Sequence, residues 1–382
     1  MTEQKPHLLD VISLTKELIR FNTINPPGDE EEIARYVGVI LEGHGFAVDY
    51  PKYDEGRLHV IATKGLSNSI PPIVLTGHFD VVPFGDKTWN YNPLEAVIEN
   101  GKLFGRGSTD MKAAVAAMII AAVESFEDQA PPGGVKLILT ANEELGCLGA
   151  KSLCDDGYDI GAASAIIVGE PTSNLPYIAH KGGLYLTAKT FGVTAHSSMP
   201  ELGDNAIYKA ARAIAKIEKL KFDAEKDPNL GYPTINVGKI EGGLNLNSVP
   251  DKAEFTIDVR STSKYKNKQA LQKLEEILGE EVMIEKMVDL CAVSTDEDDS
   301  FIQEVYAICK FDPTQKNAKK AAPFLTDASV LTPWINAPTV ILGPGEPKMA
   351  HQTDEFCYVD KIHEAVDLYK KIIIQNSKLK SL

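Results

Sequence analysis

Apolar residues first recur at helical spacing, with Leu8, Leu9, Ile12, Leu18 and Ile19 predicting a helix up to Phe21. Asn25-Pro26-Pro27-Gly28 breaks it. A second helix is expected from Asp29 to 43–45, with acidic residues in its first turn where the helix dipole favours them. Strands follow at 46–50, 58–63 and 73–77, the last a short apolar run of the kind buried in a parallel sheet. A helix over 109–126, a strand over 135–141, a short helix near 148–155 and a strand over 163–169 continue the alternation. This pattern predicts an α/β layer: a mostly parallel sheet with helices on both faces.

After residue 181 the period changes. Leu184, Leu186 and Ala188 alternate with Tyr185, Thr187 and Lys189. Ala253, Phe255, Ile257 and Val259 alternate with Glu254, Thr256, Asp258 and Arg260. Period two marks half-buried strands. Residues 205–220 and 268–278 read as helices and 282–289 as a further strand. The stretch predicts a separate, smaller α+β unit, an antiparallel sheet with two helices. From about 298 the α/β pattern resumes with a helix over 299–309, a strand over 338–342 and a long helix over 359–376. The expected organisation is one domain of residues 1–181 and 295–382, interrupted by a second of 182–294.

Composition narrows the classes. A chain of 382 residues buries a large core without staples. Its 43% hydrophobic and 24% charged content excludes wholesale disorder. With 54 acids against 39 bases the net charge is −15, which argues against nucleic acid or an anionic membrane as a partner. The longest apolar run, Ala113–Val123, is shorter than the ~20 residues that span a bilayer. Cys147, Cys154, Cys291, Cys309 and Cys357 are scattered, without a Cys-x-x-Cys, and read as reduced thiols. Glu3, Lys5 and Asp10 interrupt any apolar leader. A cytoplasmic location is expected.

Candidate chemistry gathers where apolar strands end, the position at which open α/β sheets build their sites. His78 leaves one strand, with Asp80 two residues on; Asp110 precedes the apolar helix; Glu143 and Glu144 follow the next strand; Glu170 ends another; His351 lies far downstream. Taken singly, each has a plainer reading. His78 could be a core histidine satisfied by a carbonyl, Asp110 a helix cap, Glu143 and Glu144 solvated acids, Glu170 a turn acid and His351 a surface-loop residue. Together, His78, Asp110, Glu144, Glu170 and His351 make a set of two imidazoles and three carboxylates without cysteine. That mixture suits zinc, cobalt or manganese. If one ligand bridges, each of two metals has three protein ligands and room for water, as in catalytic sites. Three carboxylates, two divalent ions and one hydroxide balance in charge. The ligand intervals are 32, 34, 26 and then 181 residues, and the long gap contains the α+β unit.

As a set, these motifs resemble the dinuclear-zinc amidohydrolase and metallopeptidase family that includes acetylornithine deacetylase, succinyl-diaminopimelate desuccinylase, aminoacylase-1 and carboxypeptidase G2. The resemblance covers nearly the whole chain. It implies two zinc ions per subunit, with cobalt or manganese as substitutes. His78, Asp110 and Glu170 would hold one ion; Asp110 would bridge to the second, completed by Glu144 and His351. Glu143 would be the general base, Asp80 would orient His78, and the Asp110–Met111 peptide would be cis. The interrupting domain would be a lid and homodimerisation domain. Within Gly192-Val193-Thr194-Ala195-His196-Ser197-Ser198, His196 would stabilise the oxyanion in a partner's site, although Ala195 stands where many members have glycine. Asn247 and Arg260 would bind the substrate carboxylate. Gly343 and Gly345, in Leu342-Gly343-Pro344-Gly345, would belong to a substrate loop.

The implied activity is hydrolysis of the amide of an N-acyl amino acid by a zinc-activated bridging water. The segments 169–173, 179–182 and 350–355 look closest to acetylornithine deacetylase, with the desuccinylase next and aminoacylase or dipeptidase after it. A metal-free scaffold is the non-enzymatic alternative, disfavoured because all five ligands and Glu143 are retained. A nucleotide-binding protein is disfavoured by the absence of G-x-G-x-x-G and G-x-x-x-x-G-K-[ST].

Overall fold

The computed structural model describes residues 10–376; Leu8, Leu9, Glu3 and Lys5 lie outside the described residues. Helix α1 spans Val11–Arg20. Asp10 caps it, its Oδ1 accepting the N–H groups of Ile12 and Ser13 at 3.0 and 3.1 Å. Helix α2 is Glu31–Gly43, followed by strands β1 (Ala47–Asp49), β2 (Val60–Lys64) and β3 (Ile73–His78). Then come α3 (Lys112–Asp128), β4 (Val135–Thr140), α4 (Leu148–Asp155) and β5 (Ala165–Val168).

The chain divides into two compact units. The first comprises the chain up to Ala179, Ser294–Ala321 and the chain from Thr326; the second comprises His180–Val293 with Ala322–Leu325. The second unit contains β6 (Gly182–Phe191), α5 (Ala206–Glu218), β7 (Thr234–Gly242), β8 (Lys252–Ser261), α6 (Asn267–Leu278) and β9 (Val282–Leu290). Returning to the first unit, the chain forms α7 (Ser300–Ile308), α8 (Ala328–Ile335), β10 (Thr339–Ile341) and α9 (Val359–Asn376).

The main sheet of the first unit runs β1-β2-β4-β3-β5-β10. β4, β3, β5 and β10 are mutually parallel, while β1 and β2 join antiparallel at one edge. Alternate strand residues face opposite sides. Val60, Ile73, Leu75, Leu137, Leu139, Ile167 and Val340 share one core with α1, α2, α3, α7 and α9. Ile61, Val74, Ile138, Ile166 and Ile341 alternate with these and are equally buried. On α3 the apolar residues run all round the helix, and every residue from Met111 to Val123 is buried, as expected of a core helix.

Parallel order matters for chemistry because it brings the carboxyl ends of β4, β3, β5 and β10 to one edge. Register places His78 beside Thr140 and Thr76 beside Val168. The residues just beyond those ends are therefore neighbours in space although far apart in sequence.

In the second unit a four-stranded antiparallel sheet, β7-β8-β6-β9, pairs Leu184 with Val259 and Leu186 with Ile257. Its buried residues form one cluster with Ala206, Ala210, Ala213 and Ile217 of α5 and Ala270, Leu274 and Leu278 of α6. No helix among the described residues is long and apolar enough to cross a membrane.

Leu75 is fully buried at the centre of the main sheet. Leu75→Ala is expected to cost about 2–5 kcal/mol through lost burial and a residual cavity. Urea titration of the two proteins measures it.

Candidate metal centre

His78 is the last residue of β3 and is buried. Its Nδ1–H donates to the backbone carbonyl of Asp80 at 2.9 Å. A carbonyl only accepts, so this contact fixes a proton on Nδ1 and turns Nε2 toward the carboxylates. Nε2 lies 3.2 Å from Asp110 Oδ1 and 3.6 Å from Glu170 Oε1. The other Asp110 oxygen, Oδ2, lies 3.5 Å from His351 Nε2, which is 3.1 Å from Glu144 Oε2. Two groups result, His78–Asp110–Glu170 and Asp110–Glu144–His351, each with ligand atoms within 4.8 Å of one another. They share Asp110, which turns one oxygen to each.

Asp110 precedes α3 but does not cap it: the cap position is Met111, and no side chain caps the helix. The Asp110–Met111 peptide is cis. Glu143 and Glu144 do not start the next helix, which begins at Leu148. Only 8% of Glu143 is exposed.

Without a cation this arrangement is electrostatically unbalanced. Burial is the largest influence on Glu143, Glu144 and Glu170 and pushes all three above the usual carboxylate range. Neighbouring charges add to it: Glu170 on Glu143, and Asp110 on Glu144 and Glu170. Burial also opposes ionisation of Asp110, but hydrogen bonds from His351 and His78 outweigh it and hold Asp110 well below the usual range. The same bonds to Asp110 and Glu144 push His351 up to about 11. Burial disfavours the His78 cation, yet the Asp110 bond and the charges of Glu143, Glu170 and Asp80 raise it well above an ordinary imidazole. The cluster draws cations, whether protons or metal ions.

The donor set fits divalent metals. Glu144 Oε1 is buried without a hydrogen-bond partner, and a metal ion can replace the proton that His78 Nε2 shares with Asp110. Bonds of about 2.0–2.1 Å to a tetrahedral ion place ligand atoms about 3.3 Å apart. The four histidine–carboxylate separations, 3.1–3.6 Å, bracket that value.

The remaining predicted residues fall elsewhere. Gly343 and Gly345 are buried, and their bare Cα atoms allow close backbone packing. A Cβ on Gly343 would meet the Gly169 carbonyl at 2.1 Å, and one on Gly345 the Thr109 carbonyl at 2.3 Å. They hold the loops that carry Glu170 and Asp110. In the second unit, His196 and Asn247 are exposed. Their loops are joined by a His196–Ser248 bridge. His196 Nδ1 accepts from the Ser198 N–H at 3.2 Å and lies 2.7 Å from its hydroxyl, so in the neutral ring Nε2–H is the free donor. Arg260 pairs with Asp258 at 2.9 Å and lies over the Tyr185 ring at 5.0 Å.

Comparison with known proteins decides the lineage. Residues 74–375 match the family described as Peptidase family M20/M25/M40. The chain belongs to that family. A probable succinyl-diaminopimelate desuccinylase of Staphylococcus epidermidis is 32% identical over 95% of this chain and 96% of its own. An acetylornithine deacetylase of Myxococcus xanthus is 31% identical over 86% of this chain and 87% of its own. An M20 family metallo-carboxypeptidase of Sulfolobus solfataricus shares the fold, with a TM-score of 0.79 at 19% identity, over 97% of this chain and 100% of that one. The chain is thus an amide-hydrolysing metalloenzyme of the M20/M25/M40 type.

In this M20/M25/M40 peptidase much of the support beneath the ligand groups comes from residues the motifs did not single out. The Asp80 carboxylate stands 3.6 Å from His78 Nδ1, so the Asp80 carbonyl is what holds the ring. The carboxylate instead accepts the N–H groups of Glu143 and Glu144 at 3.0 and 3.1 Å and Asn25 Nδ2 at 2.8 Å. Asn25 also donates to Asn142 Oδ1, and Asn142 to the Tyr53 hydroxyl. Opposite them, Glu355 is fully buried. It accepts from Arg106 Nη1 at 2.6 Å and from the N–H groups of Gly107, Thr109 and Asp110 at 3.1, 2.8 and 3.0 Å. One carboxylate thus fixes the loop of Asp110 to the segment of His351. A sequence signal existed, since Glu355 ends the His351 motif, but only the fold pairs it with Arg106.

Glu355→Ala leaves Arg106 buried and uncompensated, which typically costs about 3–5 kcal/mol. It should also lower metal retention, read by metal analysis beside chemical denaturation. His59, buried near the end of β4, accepts the Ala141 N–H on Nδ1 at 3.1 Å. Burial lowers its pKa from 6.5 to about 4. The stability it lends is full above pH 6.5 and is lost as pH falls through 4. The loss should approach about 3 kcal/mol at 1.36 kcal/mol per unit. Denaturant titration between pH 7 and 4 should show a shallower decline in His59→Asn.

Proposed function

We propose that this protein hydrolyses the amide bond of an N-acyl amino acid at a dinuclear zinc centre, with cobalt or manganese as substitutes. The observation that carries the reading is Asp110 shared between two histidine-containing groups, with the buried Glu143 next to the ligand Glu144 in the chain. His78, Asp110 and Glu170 would hold one ion and Asp110, Glu144 and His351 the other. Bound there, divalent ions supply Lewis acidity and lower the pKa of water.

The chain's own residues handle the proton and the substrate. Glu143 takes a proton from the attacking water and delivers it to the leaving amine, base first and acid second. Its raised proton affinity suits both steps. His196 offers Nε2–H to the oxyanion in a partner subunit's site, and the second unit acts as lid and homodimer contact. Arg260 and Asn247 receive the substrate carboxylate, Arg260 exchanging Asp258 for it. Gly343 and Gly345 belong to a substrate loop of the first unit. Unbridged cysteines support a reducing, cytoplasmic setting.

Two acyl groups head the list. The segments around Glu170 and His351 favour N-acetyl-L-ornithine. The desuccinylase relative, matched over nearly the whole chain, favours N-succinyl-diaminopimelate. A panel of these two with N-acetylmethionine and a dipeptide, assayed with zinc and with cobalt, separates them; a scaffold would be favoured only by purified protein that holds no zinc, cobalt or manganese and hydrolyses none of them when metal is added. Glu143→Ala should keep both metals and lower turnover by about 10²–10⁴-fold. Activity within about tenfold of the parent at full metal loading would refute the general-base role, since that is less than such catalysis contributes.

A further inference from the structure

Beside the two histidine-containing groups lies a third trio. Glu143, Cys147 and Asp327 each present one ligand atom, all within 4.8 Å of one another. Their exposures are 8%, 0% and 2%. They arrive from two segments: Glu143 and Cys147 from the connection between β4 and α4, and Asp327 from the residue before α8. The Cys147 thiol donates to Glu143 Oε1 at 3.3 Å. Asp327 Oδ2 accepts from the Thr140 hydroxyl at 2.6 Å, while Oδ1 is buried with no hydrogen-bond partner. One thiol hydrogen therefore serves a pocket with two carboxylates whose charges repel. Buried polar atoms are ordinarily satisfied, and an exception calls for a missing partner.

The donor chemistry differs from that of the neighbouring groups. Thiolate selects soft or borderline ions, whereas imidazole and carboxylate admit cobalt and manganese as well. We propose that Glu143, Cys147 and Asp327 form a third metal site, for a thiophilic divalent ion such as Cd²⁺ or excess Zn²⁺. Binding is a proton exchange: the thiol proton leaves to solvent, and Cys147 Sγ, a Glu143 oxygen and Asp327 Oδ1 become ligands. An ion held there occupies Glu143 and inhibits hydrolysis. The inhibition rests on the base role proposed for Glu143; the site does not.

The test uses the whole chain loaded with two equivalents of Co²⁺ and then equilibrated with Cd²⁺. Metal per chain is counted, and ultraviolet absorption follows thiolate-to-cadmium charge transfer. The expected result is a third equivalent accompanied by the charge-transfer band. Cys147→Ser should abolish the band, and Asp327→Asn should weaken the third equivalent by at least about tenfold, the loss that even an outer-sphere change brings. Both variants should keep the first two equivalents and the visible cobalt spectrum, which reports an intact fold. Absence of the third equivalent in the parent, or an unchanged band in Cys147→Ser, overturns the site. A band without the first two equivalents would refute the dinuclear reading and leave this one standing. Cd²⁺ bound at the third site without inhibition, on whichever substrate is hydrolysed, would refute the base role of Glu143 alone.

Discussion

Asp110, Glu143, Glu144, Glu170 and Asp327 are buried together at one edge of a sheet. Removing ionised carboxylates from water is costly, and packing them side by side adds repulsion. Two imidazoles answer part of that charge, and the rest requires protons or metal ions. The parallel order of β4, β3, β5 and β10 creates the problem by gathering the strand ends. It also creates the use, because the same edge holds every candidate ligand of the first unit.

The scaffold treats its buried acids in two ways. Asp80 and Glu355 are saturated with donors: backbone N–H groups, Asn25 and Arg106. Glu144 and Asp327 each keep a buried oxygen with none. Saturated acids lock backbone in place, and under-satisfied ones wait for a cation. This difference in hydrogen bonding sets Asp80 and Glu355 apart from Glu144 and Asp327. Glu30 belongs with the first kind, gripped by both Nε and Nη2 of Arg57.

The strand-end residues were legible because apolar runs stop abruptly at His78, Asn142 and Glu170, and because His/Asp/Glu spacing across those stops is informative as a set. The alternation at Ala253–Val259 likewise gave away β8, whose outward residues are polar. Other parts left no pattern. β7 is an edge strand whose Ile235 and Val237 are only half-buried, and its alternation breaks at Gly238 where the register shifts. α8 is short and contains Pro333, which hides a helix and with it the placement of Asp327. Asn25 looked like the start of a prolyl turn; its role depends on reaching Asp80 and Asn142 across the fold. Gly343 and Gly345 are expected in a substrate loop; that their lack of a side chain also serves close packing against carbonyls is visible only in the fold.

The link between Arg106 and Glu355 spans 249 positions of the chain. Its consequence is one of timing. A growing chain carries His78, Asp110, Glu144 and Glu170 long before it carries the segment that clamps the Asp110 loop and brings the last imidazole. Until that segment docks, the acids have neither their cradle nor their full ligand set, and the cleft is an unfinished chelator. Completion of the centre is thereby tied to completion of the domain, and a half-made chain has no assembled site with which to act on anything.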